Sequence, residues 1–184
     1  MLIRPRMPVA ILAAVLAVAG CGGSSVDRPE HTAVETTEGT GMELTSTAFE
    51  NAARIPSQYT CDGADISPPL QVAGLPQGAT TLVLVVDDPD APRGTWDHWV
   101  AYDIPLATAI PEGVAALGTP GVNSWGRTEY AGPCPPSGSH RYFFTVYAVD
   151  TPLGLPPGAT KAEVLAAIAG RVVAEATLIG LYSR

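Results

Sequence analysis

Residues 129–150 read E-Y-A-G-P-C-P-P-S-G-S-H-R-Y-F-F-T-V-Y-A-V-D. The first half is a loop stiffened by Pro133, Pro135 and Pro136, which fix φ and remove backbone donors, with Gly132 and Gly138 supplying turns that other residues resist. The second half is strongly β-prone, with Phe143, Phe144, Val146 and Tyr147 in succession. His140-Arg141-Tyr142 stands where loop becomes strand. Binding groups collect on loops held by a rigid scaffold, so this stretch is expected to form one wall of a small-ligand pocket.

The other strands fall into place around it. Thr80 to Asp87 places Leu82, Leu84 and Val86 on one face and Val83 and Val85 on the other. Both faces are apolar, which predicts a strand in the middle of a sheet, buried on each side. The turn Asp88-Pro89-Asp90-Ala91-Pro92 follows, then a strand over His98–Ile104. Met42–Phe49 alternates weakly and opens a first strand; Asn51–Pro69 is loop-like; Pro105–Arg127 is a Gly-, Ala- and Pro-rich excursion with short elements. Thr160-Lys161-Ala162-Glu163 matches a capping box, and Val164, Leu165, Ile168, Val172 and Val173 recur at helical spacing. A helix over Lys161–Glu175 is expected, with Gly170 a weak point, then a last strand over Ala176–Tyr182. The fold class is mainly β with minor α.

The chain has 184 residues, and its start is of another kind. Arg4 and Arg6 precede an apolar run from Val9 to Ala19 that ends in Val18-Ala19-Gly20-Cys21, the pattern of a secretory signal over residues 1–20. The small-small-Cys ending resembles the bacterial lipobox, which implies cleavage after Gly20 and lipidation of Cys21; an ordinary cleaved signal is the alternative. Residues 21–41 are small, polar and acidic and read as a disordered tether, which discounts His31 as a site residue. One domain is expected over residues 42–184, on the extracytoplasmic face of a membrane held through lipid on Cys21.

The formal charge is −8, and loss of the two signal arginines makes it −10. Such a protein is not drawn broadly to nucleic acid or anionic headgroups, so an anion must be held by a local, preorganised site. Two imidazoles, His98 and His140, and the Tyr142 hydroxyl are candidate donors, and backbone N–H groups of the Gly/Pro turn can form an anion nest. Asp88 can orient a histidine, or with Trp99 receive a cationic headgroup. Each has a plainer reading: Asp88 and Asp90 as turn caps, a lone histidine as structural, Phe143, Phe144 and Tyr147 as core. Trp96 and Trp125 find no place. Cys61 and Cys134, in an exported chain, are either a disulfide or two separate thiols. No H-E-x-x-H, paired C-x-x-C or G-x-S-x-G is present, and neither a metal nor a cofactor is expected.

Several stretches together are recognisable. D-P-D-A-P at Asp88–Pro92, H-W-V-A-Y-D-I-P from His98, Y-T-C-D-G-A-D-I-S-P-P-L at Tyr59–Leu70, the segment from Tyr130 to Asp150 and the L-I-G-L-Y-S-R ending resemble the phosphatidylethanolamine-binding protein family. The likeness is to its bacterial, Raf-kinase-inhibitor-like branch. It implies a large antiparallel sheet packed on a smaller one, with helix near the C-terminus, and a shallow anion pocket at the strand ends. The ligand-binding residues it implies are Asp88, Pro92, His98, Gly132, Pro133, Pro135, His140 and Tyr142, with Asp62 a further candidate. Members of the family bind phospholipid headgroups or nucleotides, and some inhibit kinases or serine proteases. An exported copy makes a cytosolic kinase partner unsuitable. Three readings follow: a non-catalytic binding module for a phosphate-bearing or other anionic small ligand, an inhibitor or partner of an extracytoplasmic protease, and a hydrolase using Asp88 with His98 or His140. The cysteines also occur in cytosolic relatives, which leaves the bridge open.

Overall fold

The computed structural model describes residues 41–184; the expected signal over residues 1–20, Cys21 and nearly all of the expected tether lie outside them. Nine strands and one helix follow in chain order: β1 (Glu43–Thr45), β2 (Ala53–Arg54), β3 (Leu70–Ala73), β4 (Thr81–Asp88), β5 (Trp96–Pro105), β6 (Ala109–Ile110), β7 (Thr119–Pro120), β8 (Ser139–Val149), α1 (Lys161–Ile168) and β9 (Val172–Ser183). They form a six-stranded sheet in the order β2-β9-β8-β4-β5-β7 and a three-stranded sheet β1-β3-β6. Pairing is antiparallel throughout except for β2 on β9. The mainly β class with one helix near the C-terminus is the architecture expected.

The period of two along β4 explains why the sheet is covered on both sides. Leu82, Leu84 and Val86 pack with Leu44, Leu70 and Val72 of the small sheet and with Phe144, Val146 and Leu178 of β8 and β9. Val83 and Val85 face the opposite way, against Val100, Tyr102, Val164 and Ile168, so α1 closes the second face. Leu82, Val83, Leu84 and Val86 are wholly buried, and each such side chain contributes about 1.5–3 kcal/mol by leaving water. Lys161, at the start of α1, donates to Asp87 of β4 and to Asp97 of β5 at 3.0 Å, tying the helix to the sheet end that carries the candidate site.

The helix is shorter than its spacing predicts. The capping box is present: the Thr160 hydroxyl accepts from the Glu163 amide, and the Glu163 carboxylate accepts from the Thr160 amide. But α1 ends at Ile168, and Gly170 takes φ +75°, a left-handed conformation that favours glycine. Val172 and Val173 therefore leave the helical stripe and begin β9, where Val172 pairs with Val149. β-Branched residues suit a strand, and the reversal at Gly170 lets them reach one. The last strand accordingly starts at Val172, ahead of Ala176. β2 and β3 also lie where the sequence shows only loop or nothing definite.

Candidate functional site

β4 lies between β5 and β8, so the C-terminal end of β4 meets the N-terminal ends of both neighbours. That topology brings Asp88, His98, His140 and Tyr142 to one rim. Opposite β4 the register of β5 skips a residue: Val86 pairs with Trp99 and Asp87 with Asp97. His98 is the extra residue, a bulge that re-aims its side chain away from the regular pleat. The same shift sends Trp99 into the main core, 5% exposed and edge-on to Tyr130 at 5.5 Å. Trp99 therefore does not receive a cationic headgroup beside Asp88, as its neighbourhood in the sequence suggested.

His98 is 2% exposed, and its Nδ1 donates to the Ala131 carbonyl at 2.6 Å. That bond fixes the neutral tautomer, with Nε2 as the acceptor nitrogen. Burial pushes the imidazole below its ordinary range, opposed by the Ala131 carbonyl and the Asp88 charge. Its ring meets Tyr142 at 5.3 Å and Trp125 at 5.0 Å, both nearly perpendicular. Asp88 is 4% exposed; its Oδ2 accepts from His140 Nδ1 at 2.7 Å and its Oδ1 from the Asp90 amide at 2.8 Å. Asp88 thus closes the turn and also orients His140, so both readings of it hold at once. Arg141 binds Asp90 through Nη2 at 2.7 Å and Nε at 2.9 Å and holds that carboxyl down at about 2.

The loop carrying Gly132, Pro133, Cys134 and Pro135 is pinned from behind. Cys61 and Cys134 are disulfide-bonded across 73 residues of chain. The Gly132 amide donates to Asp65 Oδ1 at 2.6 Å, the Cys61 amide to the Pro133 carbonyl at 3.2 Å, and Tyr130 Oη to the Tyr59 carbonyl at 2.7 Å. A Cβ on Gly132 would collide with the Tyr59 carbonyl and the Asp65 carboxylate, so glycine is required there by close approach. Asp65 sits at φ +56°, a conformation that Asp tolerates better than most residues.

These pieces border a cleft of about 450 Å³ lined by Asp88, Ala91, Pro92, Arg93, Trp96, His98, Trp125, Cys134 and Pro136. Of the residues predicted from sequence, Asp88, Pro92 and His98 stand on its wall. His140 touches it through Asp88. Gly132, Pro133 and Pro135 are buried behind it, and the Gly132 amide is committed to Asp65 rather than free for a nest. Tyr142 packs under His98; its hydroxyl is enclosed without a hydrogen-bond partner, and burial followed by the Asp88 charge raises its pKa. Asp62 is not among the residues lining the cleft; it is exposed and bound to Tyr182 Oη at 2.8 Å and Arg184 at 3.1 Å. Among the described residues no group of three His, Cys, Asp or Glu side chains is arranged to hold a metal ion.

Trp96, Trp125, Arg93 and Asp65 belong to the site and were not read from the sequence. Trp96 enters beyond the bulge, on the residue of β5 that pairs with Asp88. Trp125 carries no local signal. It arrives through a loop folded around Asn123, whose Oδ1 accepts from the Trp125 and Arg127 amides at 3.0 Å each.

Comparison with known proteins agrees with this architecture. The family model described as phosphatidylethanolamine-binding protein matches residues 45–183. A UPF0098 protein of Methanothermobacter thermautotrophicus is 52% identical over 150 residues, covering 78% of this chain and 99% of its own. The UPF0098 protein PH1269 of Pyrococcus horikoshii is 40% identical over 194 residues, covering 100% of this chain and 91% of its own. Among solved structures, the phosphatidylethanolamine-binding protein homologue CT736 of Chlamydia trachomatis superposes with a TM-score of 0.76 at 40% identity, covering 79% of this chain and 99% of its own. E. coli YbcL, described as a member of the mammalian PEBP family, gives 0.73 at 27% identity over 78% of this chain and 98% of its own. With its two sheets, its D-P-D-A-P turn and a family match running from residue 45 to residue 183, the chain belongs to the phosphatidylethanolamine-binding protein family.

Proposed function

We propose that this chain is a non-catalytic binding module for a small anionic, phosphate-bearing ligand, carried on the extracytoplasmic face of a membrane by acyl chains on Cys21. The observation that carries the binding reading is the cleft itself. It is a preformed concavity with mostly apolar walls in which a guanidinium, an imidazole and a buried Asp–His pair converge, the usual composition of a small-molecule site. The Arg93 charge supplies attraction that the acidic molecule as a whole does not. Residues 42–184 would be the binding domain, and residues 1–41 its export signal and tether.

Titration of the full chain with inorganic phosphate, followed by tryptophan fluorescence, tests this. Saturable binding is expected, weakened at least about tenfold in Arg93→Gln, with no turnover of phosphate esters. Slowing of a panel of extracytoplasmic proteases that persists with the cleft blocked would favour the inhibitor reading instead. Turnover abolished by His98→Ala would favour a hydrolase.

A further inference from the structure

One edge of the large sheet is only partly covered. β9 is its last long strand, and β2, the strand outside it, is two residues long and pairs with Gly180 and Leu181. Next to them the Ile179 carbonyl accepts from the Ala52 amide at 2.7 Å, and the Ile179 amide donates to Asn51 Oδ1 at 3.0 Å. Alternate residues of a strand turn their backbone groups to the same side, so Thr177 and Glu175 also present N–H and C=O outward. Among the described residues no hydrogen bond reaches those groups on that side. Val172 and Val173, where the strand begins, are 40% and 42% exposed. An unpaired edge of this kind is a template for another extended chain.

A groove of about 460 Å³ lies against the same edge, lined in part by Ala176, Thr177 and Leu178. It shares no lining residue with the cleft. Buried Leu44, Phe49 and Leu178 give it an apolar floor, and Glu43 and Glu50 stand exposed on it. Glu175 is exposed two residues before Thr177. None of these three carboxylates has an ion-pair partner among the described residues. A segment added to the edge would turn every second side chain towards Ala176 and the groove, and the others to the side of Glu175. Lysine and arginine suit both positions, with the stem along apolar surface and the charged head at a carboxylate. A second copy suits them poorly. Antiparallel pairing through Glu175 and Thr177 sets Glu175 opposite or diagonal to the second copy's Glu175, and like charges so placed repel, on chains that each carry a formal charge of −8.

We infer that the β9 edge over residues 173–177, with the groove beside it, is a docking surface for an extended, lysine- or arginine-rich segment of a partner protein, taken up as an added strand. Backbone bonds to Glu175 and Thr177 would hold the segment, and Glu43, Glu50 and Glu175 would select its charge. The surface is separate from the cleft, and the inference stands independently of the ligand reading.

Two capped octapeptides, four Thr-Lys repeats and four Thr-Glu repeats, are titrated into the full chain by calorimetry, with amide exchange followed residue by residue. The Thr-Lys peptide is expected to bind saturably and at least about tenfold more tightly than the Thr-Glu peptide. At ten times its Kd it should slow exchange of the Glu175 and Thr177 amides about tenfold. Joint replacement Glu43→Gln, Glu50→Gln and Glu175→Gln should weaken it about tenfold. Thr177→Pro, which removes an outward donor and spares the bonds to β8, should weaken it at least as much, with melting curves confirming that both variants fold. Equal binding of the two peptides, or of neither, overturns the inference. So does binding that survives the triple replacement, or that leaves exchange at Glu175 and Thr177 unchanged, which would be adsorption by charge alone. A concentration-dependent dimer abolished by Thr177→Pro would instead assign the edge to a second copy. The phosphate titration of the cleft is expected to be the same with and without peptide, so the two readings fail separately.

Discussion

At the scale of single residues, the site keeps groups in states that the unfolded chain would not choose. His98 is buried with Nδ1 committed to Ala131, and its folded pKa lies below the ordinary value. The sign follows from linkage. Below about 6.5 the unfolded chain takes up a proton that the folded imidazole resists, so stability falls as the pH drops through that window. Above it His98 adds no pH dependence. Thermal melts between pH 5 and pH 8 should therefore show a Tm that declines on the acid side, and His98→Asn should flatten that slope; an unchanged slope would mean that other groups carry it. Tyr142 offers a second test. Its hydroxyl is buried without a partner, a cost of roughly 1–3 kcal/mol. Tyr142→Phe is expected to leave stability unchanged or raise it by about 1 kcal/mol in denaturant unfolding. A loss above that size would show that the hydroxyl is satisfied in solution.

At the scale of elements, the loop over Gly132–Pro136 is the wall that depends most on long-range ties. The disulfide joins it to a turn 73 residues earlier, and the chain-entropy model assigns such a bridge about 4 kcal/mol. Cys61→Ser with Cys134→Ser should lower stability by up to that amount and speed amide exchange at Gly132, whose partner Asp65 lies four residues beyond Cys61. Gly132→Ala, with no room for its methyl group, should cost about 1–3 kcal/mol even with the bridge intact. What sequence could and could not reveal divides along the same lines. β4 was legible because two apolar faces have one structural meaning, and Asp88, His98 and His140 were legible because Asp-Pro turns and strand starts mark a rim. The end of α1 was not, since Val172 follows Ile168 at a spacing that fits a helix, and only the φ of Gly170 decides otherwise. The skipped register at His98 goes with a Trp99 buried in the core and a Trp96 paired with Asp88, and a bulge leaves no mark in a period-two pattern. Trp125 reaches the cleft through loop contacts made by Asn123, which no local spacing encodes.

At the scale of the whole molecule, the described residues place a local cationic group, Arg93, on a chain whose formal charge is −8. A chain that acidic gains nothing from the headgroup charge of an anionic bilayer, so any stable residence at a membrane must come from elsewhere. On the proposed reading, the Val18-Ala19-Gly20-Cys21 ending would supply the chemistry, a thioether on Cys21 carrying acyl chains. One chain holds a protein only marginally and reversibly, whereas two or more hold it firmly. Two measurements follow on protein from its own envelope. Mass spectrometry of the N-terminal peptide should show a chain beginning at Cys21 with at least two acyl groups attached. Cys21→Ala should move the protein from the membrane fraction to the soluble one while leaving the affinity for inorganic phosphate unchanged, because the cleft is lined by residues between Asp88 and Pro136. An unmodified Cys21, or an N-terminus at another residue, would remove the lipid anchor and with it the proposed location, leaving the binding domain as a separate question answered by its own titrations.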